Sequence, residues 1–346
     1  MTLTQGREMA QKLIEWYGQY GRSFPWRQGT SAYGTLVCEV MSQQTQMARV
    51  VPFWQAWMRR WPRLTDLAQA TEEQVVAQWQ GLGYYSRGKN LRLAAQKLAA
   101  LGYEDVPPDE EVVASLPGVG PYTCAAVLAL AYDVPAVPLD GNLRRIMARL
   151  LDEPRQVGTT SVDARFVQAT RELMRFARPS VLAQGLMDLG SGPCAPSPRC
   201  GDCPLSSFCL SLARGTVLER PLTKKRPPLK RRFAAVLVNE SDRGFALRRR
   251  PAGGLWSGFY ELPWKIGESE SESPELLAQV LAQELGFDSI TPLDVCETLR
   301  FTSWQVEAHF FRCTGPWSER YRANDALALP MPAGLKRGLK KILNQA

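Results

Sequence analysis

Leu116 to Tyr132 reads LPGVGPYTCAAVLALAY: a glycine-marked turn, then an apolar run. Gly118 and Gly120 flank Val119 in a turn that few other residues tolerate, and Pro121 follows at the natural first position of a helix. Such a turn presents successive backbone N–H groups just ahead of a helix N-terminus, an arrangement suited to gripping a phosphate. Apolar residues on both sides predict a helix–hairpin–helix. A glycine-rich turn between helices can also be a plain connection, so its neighbourhood must separate the two readings.

That neighbourhood is helical. GREMAQKLIEWYGQY, TEEQVVAQWQGL, SRGKNLRLAAQKLAAL and SVDARFVQATRELMRFA place apolar residues three to four apart, which predicts a helical domain over residues 1–213. Near its end, CAPSPRCGDCPLSSFC sets Cys194, Cys200, Cys203 and Cys209 within sixteen residues. Four thiolates this close support either a zinc site or an iron–sulfur cluster. The N-terminal stretch carries acids and no apolar core, so no export signal is read. A cytoplasmic setting is expected, and a disulfide staple is disfavoured there.

The composition then shifts. RPLTKKRPPLKRR, Arg220 to Arg232, has seven basic residues, three prolines and no acid, and lies in a linker read over 214–232. Beyond it, FAAVLVNE and GFALRRR around an SDRG turn predict a β-hairpin. SPELLAQVLAQELGF predicts a helix and SWQVEAHFFRC a further strand, giving an α/β domain over 233–346. The 346 residues suffice for two domains, and 45% hydrophobic with 22% charged residues suits a soluble globular protein. A net charge of +8 favours a polyanionic partner. The longest charge-free run, Val112 to Tyr132, is broken by prolines and glycines and is not read as a membrane span. His309 is the only histidine, so acid–base chemistry before it must use other groups.

LPGVG with a downstream aspartate and a four-cysteine loop resembles the helix–hairpin–helix DNA glycosylases of the endonuclease III superfamily. Within it, PWR (25–27), CEVMSQQTQ (38–46), GLGYYSRGKN (81–90), VPLDGNLRRI (137–146) and QGLMDLG (184–190) are similar to the adenine DNA glycosylases, the MutY family. The likeness runs over essentially the whole chain. It implies an all-α glycosylase domain with an iron–sulfur cluster loop, plus a C-terminal α/β Nudix-like domain. The implied activity is monofunctional removal of adenine mispaired with 8-oxoguanine or G in double-stranded DNA.

The resemblance also assigns residues. Glu39 matches the acid that protonates the leaving adenine, and a desolvated carboxyl with a raised pKa fits that task. Asp140 matches the aspartate that stabilises an oxocarbenium-like sugar. Tyr122 assists, and stands where the strand-cleaving relatives carry a Schiff-base lysine; a phenol cannot form an imine. Trp26, Arg27 and Gln184 match residues lining the adenine pocket. Gln43, Gln44, Thr45, Leu82, Gly83 and Tyr84 match elements that enter the base stack. Gly118, Val119, Gly120, Asn142 and Arg144 are expected at the DNA surface.

For the four cysteines the resemblance favours a [4Fe–4S] cluster, although the family has six residues between the first two ligands and this chain has five. The C-terminal domain is expected to recognise the lesion through Phe301, Thr302 and Ser303. There the family has Phe-Ser-His, so this chain has Ser303 in place of the histidine, which opens an alternative of altered opposite-base preference. A non-catalytic lesion-binding adaptor is a third reading, disfavoured because a binder needs no acid. The helix after GGLWSGFYELPW has only Glu275 and Glu284 as acids, too few for a magnesium-dependent hydrolase of the Nudix fold. A monomer without membrane association is expected, with repair-protein contacts through the basic linker.

Overall fold

A computed structural model describes residues 3–224, 227–251, 256, 258–301 and 303–345. They fall into two units, Met1–Lys224 and Lys225–Ala346. The first unit is helical: α1 (Leu3–Tyr20), α2 (Ala32–Ser42), α3 (Met47–Arg60), α4 (Leu64–Ala68), α5 (Glu72–Trp79), α6 (Ser86–Ala100), α7 (Glu110–Ala114), α8 (Pro121–Tyr132), α9 (Gly141–Leu150), α10 (Thr160–Met174), α11 (Pro179–Ser191) and α12 (Leu210–Arg214).

Local chemistry sets the helix ends. Ser31 caps α2 by accepting from the Gly34 N–H at 3.0 Å, and Thr71 closes a capping box with Gln74 at α5. The apolar spacing suggests a helix through Leu82, yet α5 stops at Trp79. Gly81 and Gly83 both turn to positive φ, +105° and +75°, and so break it. In the turn before α8, Gly118 has φ +77°, and a Cβ there would meet the Asn90 Cβ at 2.8 Å. Only glycine lets this turn lie against α6.

Two apolar cores divide the unit. One gathers Leu36, Val37, Trp57, Trp79, Leu91 and Val127 from α2, α3, α5, α6 and α8. Trp57 and Trp79 are fully buried, their rings edge to face at 5.4 Å, and truncating either to alanine would cost about 3–5 kcal/mol. The other core gathers Leu13, Ile146, Phe166, Leu182 and Leu189 from α1, α9, α10 and α11. Because α2 is buried from Ala32 to Met41, it carries its one carboxylate, Glu39, into the interior. Helices α8 and α11 pack together and set the two cores side by side.

The second unit is α/β: β1 (Lys230–Ser241), β2 (Gly244–Ala246), β3 (Arg248–Arg249), β4 (Tyr260–Glu261), β5 (Trp264–Ile266), α13 (Pro274–Leu285), β6 (Ser289–Arg300), β7 (Trp304–Thr314), β8 (Arg320–Tyr321), α14 (Ala323–Ala328) and α15 (Ala333–Leu343). The main sheet runs β6-β7-β1-β2-β8 with β5 also on β1. β1 and β7 are parallel and the other pairs antiparallel, so the sheet is mixed. Along β1, Ala234, Val236 and Val238 face the core with α15, whereas Ala235 and Leu237 face α13. That period of two, apolar on both faces, is the pattern of a strand covered by helices on each side. The SDRG hairpin forms as β1–β2. Arg220 is ion-paired to Asp152 at 3.0 Å in the first unit, and Lys230–Arg232 open β1 opposite Trp304–Val306, so both ends of the basic stretch are structured. Among the described residues no helix is long and apolar enough to cross a membrane.

Candidate active site

Glu39 and Tyr122 meet inside the helical unit. Glu39 is 5% exposed, its Oε2 has no hydrogen-bond partner, and its carboxyl shares a hydrogen bond with the Tyr122 hydroxyl. Burial pushes the Glu39 pKa up to about 7; the charge of nearby Asp140 adds to this, while Tyr122 and Arg27 oppose it. Burial, with the charges of Glu39 and Asp140, also raises the Tyr122 phenol, which therefore remains a neutral donor. Asp140 caps α9: Oδ1 accepts from the Leu143 N–H at 2.7 Å and Oδ2 from Asn142 Nδ2 at 3.0 Å. A buried acid that holds its proton near neutrality thus faces a carboxylate fixed by two donors.

A second cluster adjoins it. Trp26 stacks on Phe24, centroids 5.0 Å apart, and meets Trp54 edge-on. Arg27 donates from Nη1 to Asp188 Oδ2 at 2.7 Å and from Nη2 to Oδ1 at 3.0 Å, and Arg22 donates twice to Oδ1, at 2.8 and 2.6 Å. Burial pushes Asp188 up, but hydrogen bonds from Arg27 and Arg22 outweigh it and hold the carboxyl below its ordinary range. The Arg27 guanidinium lies over the Tyr17 and Phe24 rings, and the Tyr17 hydroxyl donates to Gln184 Oε1 at 2.5 Å. Tyr17, Arg22 and Asp188 have no role in the sequence reading, yet they hold Arg27 and Gln184. The available signal is the four-residue spacing of Gln184 and Asp188 on α11.

The expected DNA-facing residues divide. Gln43 donates from Nε2 to Thr123 Oγ1 at 3.3 Å, Gln44 takes φ +54°, and Thr45 follows in the same turn. Past Gly83, Tyr84 is 64% exposed at φ +45°. Leu82, expected as an aliphatic wedge, is instead 6% exposed and packed in the core, because its side chain fills space under the turn. Arg144, expected at the DNA, is engaged by Asp163 at 2.7 Å, and Asn142 is occupied by Asp140 and Arg145. Gly118 and Gly120 are exposed, while the Val119 N–H closes the turn onto the Leu116 carbonyl at 3.1 Å.

All four loop cysteines line one cavity, with Ile146, Leu150, Leu189 and Leu205 among its apolar walls. Despite the one-residue-shorter spacing, Cys194 lines the same cavity as the other three. Arg149 lies beside it, Nη1 at 3.5 Å from Cys194 Sγ, and Arg145 holds the Cys194 carbonyl at 2.9 Å. Burial raises the Cys203 thiol to about 12, and the other three cysteines add to this. Among the described residues, no group of three or more His, Cys, Asp or Glu is gathered closely enough to chelate a metal ion.

In the second unit, Phe301 stacks on Trp304 at 5.0 Å and tilts against Trp256 at 5.7 Å, and Arg232 lies over Trp304 at 4.5 Å. Ser303 is exposed; Thr302 lies outside the described residues.

Residues 37–171 match the HhH-GPD superfamily of base excision DNA repair proteins, and residues 233–341 match the NUDIX domain. The chain is 38% identical over 197 residues to the adenine DNA glycosylase of Mycolicibacterium smegmatis, covering 56% of this chain and 67% of that one. It is 31% identical over 328 residues to the Homo sapiens adenine DNA glycosylase, covering 79% of this chain and 60% of that one. With the Mus musculus enzyme it is 38% identical over 212 residues, 58% of this chain and 41% of that one. The chain thus spans about half the length of these mammalian relatives. A thermostable thymine-DNA glycosylase shares the helical fold at TM-score 0.54 and 23% identity, over 61% of this chain and 98% of that one.

Proposed function

The chain belongs to the adenine DNA glycosylase family, and from that premise we propose that it excises adenine mispaired with 8-oxoguanine or G from duplex DNA and leaves the strand uncut. The observation that carries this reading is Glu39, a buried carboxyl with a pKa raised to about 7 and one oxygen without a partner. Glu39 gives its proton to a ring nitrogen of adenine as the C1′–N9 bond breaks and its electron pair leaves with the base. The Asp140 carboxylate, held by Leu143 and Asn142, offsets the positive charge that develops on the sugar. Water completes the hydrolysis at C1′. Tyr122 orients Glu39 and offers no amine for an imine, so no lyase step follows. Trp26, Arg27 and Gln184 line the pocket for the extruded base, and the Gln43–Thr45 and Gly83–Tyr84 segments replace stacking lost from the duplex.

Cys194, Cys200, Cys203 and Cys209 would hold a [4Fe–4S] cluster, supported by their shared apolar cavity and the flanking Arg149. When bound, such a cluster supplies four iron–thiolate links that brace the loop. Phe301 and Ser303 belong to the segment assigned to the opposite base. The exposed Ser303, in place of the family's histidine, supports a second reading in which that preference is shifted.

Single-turnover excision from duplexes with A opposite 8-oxoguanine, G, C or T tests both readings. Fastest release opposite 8-oxoguanine, lost in Glu39→Gln, is the expected result. Fastest release opposite another base favours the second reading, and full activity in Glu39→Gln defeats the acid role.

A further inference from the structure

Arg87, the second residue of α6, is only 8% exposed, and no carboxylate is among its partners in the described residues. Its guanidinium instead donates to six acceptors on two chain segments. Nη1 reaches the carbonyls of Val40 at 3.1 Å, Met41 at 2.9 Å and Gln43 at 2.5 Å. Nη2 reaches Thr45 Oγ1 at 3.2 Å and the carbonyls of Leu82 and Gly83, both at 3.1 Å. The first segment is the end of α2 just beyond Glu39; the second is the glycine turn before α6.

Each segment carries one non-glycine residue in left-handed backbone, Gln44 at φ +54° and Tyr84 at φ +45°. In both cases Arg87 grips the carbonyl of the residue before it. Such backbone persists only where the surroundings over-determine it. The guanidinium also lies 5.5 Å from the Trp79 ring centroid and 5.7 Å from that of Tyr84. Two terminal nitrogens held in one plane can bridge two segments in this way, here with Nε buried and unpartnered, whereas the single ammonium of lysine cannot.

We infer that Arg87 is a positioning residue that locks the Gln43–Thr45 and Gly83–Tyr84 segments into one rigid unit, so that both enter the base stack together as the target base turns out. This rests on the base-excision reading above and adds to it a part that touches no substrate. Two loosely held loops would each lose freedom on insertion, whereas a preassembled pair loses little.

The test uses the full chain in a Glu39→Gln background, bound to a duplex with 2-aminopurine in place of the target adenine, whose fluorescence rises when it leaves the stack. Arg87→Lys is expected to cut that rise by about fivefold or more, while affinity for an undamaged duplex changes by less than about threefold. A full rise in folded Arg87→Lys overturns the inference, as does the absence of any rise in the Glu39→Gln parent. Thr45→Val removes one of the six contacts without changing charge. A smaller fall is expected there, an unchanged rise counts against the clamp, and this variant decides alone if Arg87→Lys does not fold. Adenine release by the wild-type chain is assayed in parallel. Its absence would defeat the activity proposed above and leave the fluorescence result for Arg87 standing.

Discussion

The Tyr122 hydroxyl is hydrogen-bonded to the Glu39 carboxyl, and the other Glu39 oxygen is buried with no partner. In the mechanism proposed above, the pair serves as a proton donor held in one orientation, with the unpartnered oxygen left to face the base. Because the acid must be protonated to act and its pKa is about 7, the rate of excision should be flat below about pH 6. Well above pH 7 it should fall about tenfold per unit. Single-turnover rates across that range check this; a rate still level at pH 9 would mean that a different group supplies the proton.

The same shift affects stability. Burial raises the Glu39 pKa above its unfolded value of 4.5, so the unfolded chain loses its proton first as pH rises. The folded state is then penalised progressively between those two values, and the full penalty, a few kcal/mol, is present above about pH 7. Glu39→Gln removes it. The variant should melt several degrees above wild type at pH 8 and show little gain at pH 4. Thermal melts at both pH values decide, and equal gains at both would show that ionisation is not the cause.

Asp188 accepts from both Arg22 and Arg27 while almost fully buried. Asp188→Asn leaves two guanidiniums without their counter-charge and should cost about 3 kcal/mol of stability. Its depressed pKa makes this contribution present above the ordinary carboxylate range and lost as pH falls through the folded value. The stability gap between wild type and variant should therefore close in acid. Arg27 also loses its fixed position, so excision by the folded variant should drop about tenfold or more. Wild-type excision rates in Asp188→Asn would show that Arg27 needs no anchor.

How far these features can be read from the sequence depends on how local their causes are. The helices, the β1–β2 hairpin and the Gly118 turn follow from period, caps and glycines within a few residues. Glu39 can be placed in the interior because its neighbours Leu36, Val37, Val40 and Met41 are apolar. Leu82 eludes such a reading because one leucine in a glycine turn has the same local signature whether it points in or out. Arg144 looks free in the sequence because its partner, Asp163, lies in the next helix. Arg22, Arg27 and Tyr17 meet Asp188 and Gln184 from the opposite end of the helical unit, more than 160 residues away. Arg87 bonds mostly to main-chain carbonyls, and these leave no mark in residue types at all.

The four cysteines around one cavity should hold about four irons per chain in anaerobic preparations, with broad visible absorption. Cys194→Ser tests the short loop. If Cys194 is a ligand, the variant should retain well under half of the iron and melt lower. Full iron in Cys194→Ser would mean that the loop bypasses this sulfur, and zinc in place of iron would defeat the cluster.

Helix α13 carries only Glu275 and Glu284, and Glu284 is held by Lys265. Magnesium in a hydrolase of the Nudix fold needs several carboxylates converging on one hard cation, with waters filling the remaining positions. One exposed glutamate and one already neutralised by an ammonium leave too little charge to bind it. Across the sheet the buried carboxylates are also engaged, Glu261 by Arg248 and Arg250 and Glu297 by Arg337 and Lys341. The full chain incubated with magnesium and an oxidised purine nucleoside triphosphate should release no pyrophosphate above background. Lys265→Ala should not create the activity, since freeing one carboxylate still leaves the set incomplete. Magnesium-dependent turnover in the wild-type chain would show that this domain assembles a metal site from other residues.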